Sequence, residues 1–252
     1  MKDYSLNRIT TDDFGSAIDS GKPVVILLPV GSVEPHGPHL TLLTDTVISQ
    51  GCAELAAERL EADGMSVFIA PAVPYGVTDC AAGFKGAVSI PEEVLTGYLA
   101  AVVKGFLDNG VAHVCLINNH LEPEHYSAVR QVPKQFAEGK ASLACPLSRR
   151  WARTLSDEFK RGECHAGRYE TAIVLAADAN GVKEDVQKSL PEVPVSLSEK
   201  IIAGVKTFSD MGMENAYSGA PALATEEEGH DMLDRLATMV VTEVLESLNI
   251  NQ

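Results

Sequence analysis

Three short, almost unbroken apolar runs stand out along the chain: PVVILLPVG at 23–31, SVFIAPAV at 66–73 and AHVCLIN at 112–118. A run rich in Val, Ile and Leu with no polar alternation predicts a strand covered on both faces, as in a parallel central sheet. Between and after these runs the apolar residues recur at three-to-four spacing. That period predicts helices over 45–62, 91–109, 122–138, 149–160, 169–178 and 226–248. Pro91, Glu92 and Glu93 open the second of these, and Gly110 follows its end. Strand and helix in alternation predict an α/β layered fold, a largely parallel central sheet flanked by helices. No internal repeat or low-complexity tract interrupts it. The polar, proline-containing stretch KEDVQKSLPEVPVSLS at 183–198 reads as a surface excursion, so residues 1–252 are expected to form a single domain.

Composition narrows the picture. Of 252 residues, 45% are hydrophobic and 22% charged, which excludes a disordered or coiled-coil chain. No apolar run approaches the ~20 residues of a membrane span. The start MKDYSLNRITTDDFGS lacks the apolar segment of a signal peptide. Lys plus Arg number 20 against 35 Asp plus Glu, a net charge of −15, which disfavours nucleic acid and anionic membranes as partners. Five cysteines without a CxxC pair fit a reducing cytoplasm, the expected location. Cys164, beside His165, is a minor candidate for a thiol nucleophile.

The candidate chemistry collects after the predicted strands, where open α/β sheets hold their sites. Gly31-Ser32-Val33-Glu34-Pro35-His36-Gly37-Pro38-His39 follows the first strand and closes with Thr44-Asp45. Pro35 favours an extended Glu34, so Glu34 and His36 can face one side. Asp45 falls at a helix start, where the bland alternative is a helix cap. Asn118-Asn119-His120-Leu121-Glu122 repeats the His-plus-carboxylate pair after the third strand; here the alternative is a hydrogen-bonded core histidine. Glu34, His36, Asp45, His120 and Glu122 together supply five ligands for Zn²⁺, Mn²⁺ or a similar ion. With one carboxylate shared they suit a binuclear site that generates hydroxide and polarises a carbonyl. His165, in Cys164-His165-Ala166-Gly167-Arg168-Tyr169-Glu170-Thr171, is a general acid–base candidate that Glu170 can orient, or a plain loop histidine. Tyr75 and Lys85 lie in the loops after the second strand and are candidates for substrate contact.

These motifs resemble the creatininase (creatinine amidohydrolase) family over most of the chain. The resemblance rests on Gly31 to Leu40 with Thr44-Asp45, Pro74-Tyr75-Gly76, Phe84-Lys85-Gly86, Asn118-Asn119-His120, His165-Ala166-Gly167 with Glu170-Thr171, and Gly219-Ala220-Pro221 through Glu228-Gly229. It implies a cytoplasmic homohexamer acting on small molecules. It implies two divalent ions per chain, Zn²⁺ and/or Mn²⁺ with Fe²⁺ as an alternative. One ion would take Glu34, Asp45 and His120, and the other His36, Asp45 and Glu122. A bridging water would attack the carbonyl of a small cyclic or linear amide, with Glu122 in the catalytic set and His165 as proton donor. The same centre would also serve a hydrolase of a cyclic diketone carbon–carbon bond, a deformylase, or a metal-bound regulatory protein without turnover. The chain departs from the family around the substrate, with Lys85, Ala87, Ala81 and Arg168 in place of the usual residues. With Tyr75 and Glu170, the basic pair Lys85 and Arg168 is expected to bind substrate and to favour an anionic one.

Overall fold

The computed structural model describes residues 2–250. In chain order the elements are α1 (Thr11–Asp19), β1 (Val24–Val30), α2 (Thr44–Ala62), β2 (Ser66–Ile69), α3 (Glu92–Asp108), β3 (His113–Asn118), α4 (Pro123–Gln131) and β4 (Ala141–Ala144). They continue as α5 (Arg149–Ala152), α6 (Asp157–Arg161), α7 (Arg168–Ala177), α8 (Glu184–Gln187), α9 (Leu197–Ile202), α10 (Phe208–Met211) and α11 (Glu226–Ser247). No helix among the described residues is long and apolar enough to cross a membrane.

The four strands form one parallel sheet in the order β2-β1-β3-β4. β1 and β3, the inner pair, are buried along their whole length, whereas β2 and β4 alternate. The period of two sends alternate side chains into two cores. Val25, Leu27, Cys115 and Ile117 pack with α2, α7 and α11, while Ile26, Leu28, Val114 and Leu116 pack with α3 and α4. Absence of a polar face on these strands is therefore the sequence signature of a sheet with helices on both sides.

Several elements differ from the sequence-based expectation, and the main differences have local reasons. β4 is only ASLA, too short to register as an apolar run, and forms by pairing with β3. α1 carries no buried residue and is set by the Thr10–Asp13 capping box. The helix expected to reach 138 stops at Gln131, because Pro133 lacks an N–H and constrains the residue before it. The helix expected over 149–160 is two short helices, with Ser156 capping the second through the Phe159 N–H at 3.2 Å. The stretch 183–198 lies largely at the surface, as expected, but is not structureless. It contains α8 with the buried Gln187, and Val193 pairs with Gly219.

The strand order places β2 on one side of β1 and β3 on the other. The chain thus leaves β1 and β3 in opposite directions and opens a crevice beyond their carboxyl ends.

Candidate metal centre

The crevice holds a cavity of about 580 Å³ whose floor is polar and whose wall is apolar. The segment after β1 is pinned by hydrogen bonds from the Glu34 N–H to the Leu42 carbonyl (3.1 Å) and from the Gly37 N–H to the Ala216 carbonyl (2.9 Å). Gly37 has φ +65°, and a Cβ there would stand 2.7 Å from the His39 ring, so the turn that presents His36 requires glycine. α2 begins at Thr44 and sets Asp45 in its first turn. Asp45 does not cap the helix. Its Oδ1 lies 3.2 Å from His36 Nε2 and its Oδ2 lies 3.1 Å from His120 Nδ1. Glu34 Oε1 faces those two imidazoles and a third, 3.3 Å from His120, 3.7 Å from His36 and 3.7 Å from His165.

The orientation of the three rings is the informative feature. His36 Nδ1 lies 3.2 Å from the Glu34 carbonyl, His120 Nε2 2.7 Å from the Val77 carbonyl and His165 Nε2 3.0 Å from the Pro35 carbonyl. A carbonyl only accepts, so each of these nitrogens carries a proton and, in the neutral ring, the inner nitrogen presents a lone pair. Those lone pairs face carboxylate oxygens, an arrangement that repels unless a positive charge sits between them. His36 Nε2 and Asp45 Oδ2 are buried and have no hydrogen-bond partner. Divalent cations fit this donor set, and backbone carbonyls on the outer nitrogens are the usual way a protein aims imidazoles at a metal. Without an ion, protons take that place. Burial alone lowers the His36 pKa, but Asp45, Glu170 and Glu34 carry it up to about 10. His120 rises likewise against its burial, through Glu34 and Asp45.

The donors fall into three overlapping groups within 4.8 Å: Glu34–His120–Glu122, His36–Asp45–Glu170 and Glu34–His36–His165. Glu170 Oε2 is 3.5 Å from His36 Nε2. The third carboxylate beside His36 and Asp45 is thus Glu170, where the resemblance implied Glu122. The reason is local. Glu122 is held at the other end of the floor, accepting the Asp79 N–H at 2.8 Å and the Cys80 N–H at 3.1 Å. Burial still pushes its carboxyl up to about 7. Glu170 sits in the first turn of α7, accepts the Ala166 N–H at 2.7 Å, and is pushed by burial up to about 8. His165 is stacked between His36 and Phe208, with both ring centroids 4.4 Å away. Burial and the neighbouring His36 bring its pKa down to about 4. Burial drives the Cys164 thiol upward, which opposes the thiolate a nucleophile needs.

Supporting residues complete the floor. Asn118 donates to the His120 carbonyl at 2.8 Å and lies 2.9 Å from His125 Nε2, whose ring packs edge-on against His120 at 4.5 Å. Thr78 donates to Glu34 Oε2. Glu158 was not legible as a site residue, because no spacing ties it to the motifs. Its buried carboxylate accepts the Tyr169 and Ala220 N–H groups, each at 2.7 Å, and so ties the His165-Ala166-Gly167 turn to the segment at 218–220. Ala166 in that turn has φ 49°, a left-handed conformation that costs a non-glycine residue energy.

The remaining substrate expectations land elsewhere. Glu170 lines the cavity; Tyr75, Lys85 and Arg168 do not. Tyr75 is 47% exposed and Lys85 is a solvated loop residue. Arg168 turns away to Glu228, with Nε and Oε2 2.6 Å apart, because its place at the start of α7 faces the start of α11. The cations that do border the cavity are Arg130 of α4 and Lys160 of α6.

Residues 7–244 match the family model described as creatinine amidohydrolase. The chain belongs to the creatininase family. It is 30% identical over 233 residues to a mycofactocin precursor peptide peptidase of Mycobacterium tuberculosis, covering 86% of this chain and 84% of the relative. It is 28% identical over 160 residues to a 3-dehydro-scyllo-inosose hydrolase of Thermotoga maritima, covering 60% of this chain and 46% of that relative. Among solved structures, a creatininase described with manganese superposes with a TM-score of 0.74 at 17% identity, covering 98% of this chain and 99% of that one. The shared fold is that of a creatininase-family hydrolase.

Proposed function

We propose that this chain is a metal-dependent amidohydrolase that cleaves a linear amide with an apolar body. The observation that carries this reading is the set of three buried imidazoles, each locked by a backbone carbonyl and each facing carboxylates. Glu34, Asp45 and His120 would hold one divalent ion, with Glu122 adjacent. His36, Asp45 and Glu170 would hold a second, and Asp45 would be shared. Zn²⁺, Mn²⁺ and Fe²⁺ suit these imidazole and carboxylate donors. Bound there, such ions lower the pKa of water and polarise a carbonyl.

The chain's own residues would do the rest. Glu122, with both oxygens fixed by backbone amides beside the donors of the first ion, takes the proton of the attacking water. His165, with Nε2 on the Pro35 carbonyl, presents Nδ1 to the floor, receives the proton that Glu122 took from the water and passes it to the leaving nitrogen, which leaves Glu122 ionised again. This refines the expected role of His165 as a proton donor. The carbonyl–nitrogen bond breaks, and the water's oxygen and proton end on acid and amine respectively.

The apolar wall supports an acyl or peptide-like substrate larger than a small cyclic amide, since cavities of roughly 300–1,000 Å³ enclose drug-sized ligands. A cyclic ketone is the second reading, favoured by likeness to the Thermotoga hydrolase. The wall offers a hydroxyl-rich ring little to hydrogen-bond. We propose a homohexamer on family likeness alone, checked by sedimentation equilibrium. The test of function is a panel of apolar N-acyl dipeptides, creatinine and cyclic diketones, incubated with metal-stripped and Zn²⁺- or Mn²⁺-loaded protein. Metal-dependent cleavage of the linear amides is expected. Turnover of the ketones alone, or of nothing by fully loaded protein, would overturn the reading.

A further inference from the structure

An anionic substrate was expected from Lys85 and Arg168, and neither reaches the cavity. Two other cations do, from different helices: Arg130 and Lys160. Arg130 makes no ion pair among the described residues. Its guanidinium carbon lies 5.6 Å from the centroid of the Tyr126 ring, and Tyr126 also lines the cavity. A guanidinium on an aromatic face is held in place while its N–H edge stays free to pair an oxyanion in two parallel hydrogen bonds. Lys160 is already shared with Asp157, 3.2 Å away. The rim therefore carries one uncommitted positive charge, which matches a carboxylate better than a doubly charged phosphate. The cavity is also lined by Leu147, Phe159, Ile201 and Phe208, which offer no charge and little polarity.

We propose that Arg130, assisted by Lys160, forms a recognition site for a carboxylate at the far end of the substrate from the bond that is cut. The substrate class is an amide whose apolar body ends in a free carboxylate. This rests on the amidohydrolase reading above and adds to it which end of the substrate is held, and by what. With both ions bound, the floor's four carboxylates are offset, so the anion approaches a rim that is positive and a floor that no longer repels it. Arg130 is a specificity residue here and takes no part in bond breaking.

The test uses hydroxamates of three chain lengths on the full-length, Zn²⁺-loaded protein. Each carries an unbranched apolar chain and ends in either a carboxylate or a neutral carboxamide. The hydroxamate holds both probes to the metal, so only the far end differs. At the best length the acid is expected to bind roughly tenfold more tightly than the amide. Arg130→Gln is expected to remove most of that difference, leave amide binding unchanged, and leave the circular dichroism melt unchanged, since Arg130 is exposed. Equal binding of acid and amide by wild-type protein would overturn the carboxylate site while leaving the metal centre standing. A preference that survives the Arg130→Gln, Lys160→Gln double variant would also overturn it. If neither probe binds and no ion is taken up, the metal-centre reading fails and this proposal falls with it.

Discussion

The floor and the wall of the cavity are built on opposite plans. The floor donors come from the loops after β1 and β3 and from the first turns of α2 and α7, and each is buried. All but Asp45 are also held by a second contact: His36, His120 and His165 by carbonyls, Glu122 and Glu170 by amides, Glu34 by Thr78. The wall comes largely from short helices of four to six residues, and one of its members, Ile202, is 86% exposed. Helices so short have little stability of their own and depend on what they pack against. Under the proposed function, the preorganised donors would set the chemistry and the wall would set what is admitted.

The comparison breaks most severely at the shared carboxylate. Asp45→Asn is expected to empty the floor of bound metal and to lower turnover by roughly 10³-fold or more, since the change touches both proposed ions. Full metal content in this variant, measured by plasma mass spectrometry, would remove Asp45 from its bridging role. His165→Ala is expected to keep the metal and lose roughly 10²–10⁴ in kcat, the size of an acid–base contribution. Loss of an ion instead would make His165 a ligand, in line with its grouping beside Glu34 and His36.

A gentler probe separates the floor's charge from its chemistry. The His36 and Glu170 pKa values are raised in the folded, metal-free chain, to about 10 and 8. Groups that hold protons more tightly when folded contribute stability below their unfolded pKa and lose it as pH climbs through the folded one. Metal-free protein should therefore melt lower as pH rises from about 7 to 10, by roughly 5 °C. Loading with Zn²⁺ should abolish that fall, because the ions replace the protons. A flat metal-free profile by differential scanning calorimetry would contradict the charge balance described for the floor. The wall answers on a smaller scale. Ile202→Ala should raise KM several-fold for an apolar amide, with metal content and melting temperature unchanged, as expected for a few methylenes in a substrate pocket. A loss of metal there would show that wall and floor are coupled.

The same division explains what was legible. Glu34, His36, Asp45, His120 and His165 stand at strand ends and helix starts, positions that periodicity locates, so the structure brings together residues that spacing had already marked. The inner strands were plain because β1 and β3 are apolar on both faces. β4 and the short helices were not, because their order comes from tertiary packing and too few residues carry a period. The exchange of Glu122 for Glu170 beside His36 was also hidden. It depends on which way α7 presents its first turn, and Glu158 sets that through the Tyr169 and Ala220 amides, far from any motif. Lys85 and Arg168 looked like substrate ligands because their motifs adjoin the site in sequence. Arg168 is drawn instead to Glu228, a residue 60 positions away.

The most direct measurement is the metal content of wild-type protein and Glu170→Gln after loading with Zn²⁺ or Mn²⁺ and exhaustive dialysis. The account predicts about two ions per chain in the wild type and about one in the variant, with circular dichroism unchanged between them. Wild-type protein that retains no ion under these conditions would contradict the metal centre itself. Two ions retained by Glu170→Gln would contradict the assignment of Glu170 to the ion beside His36.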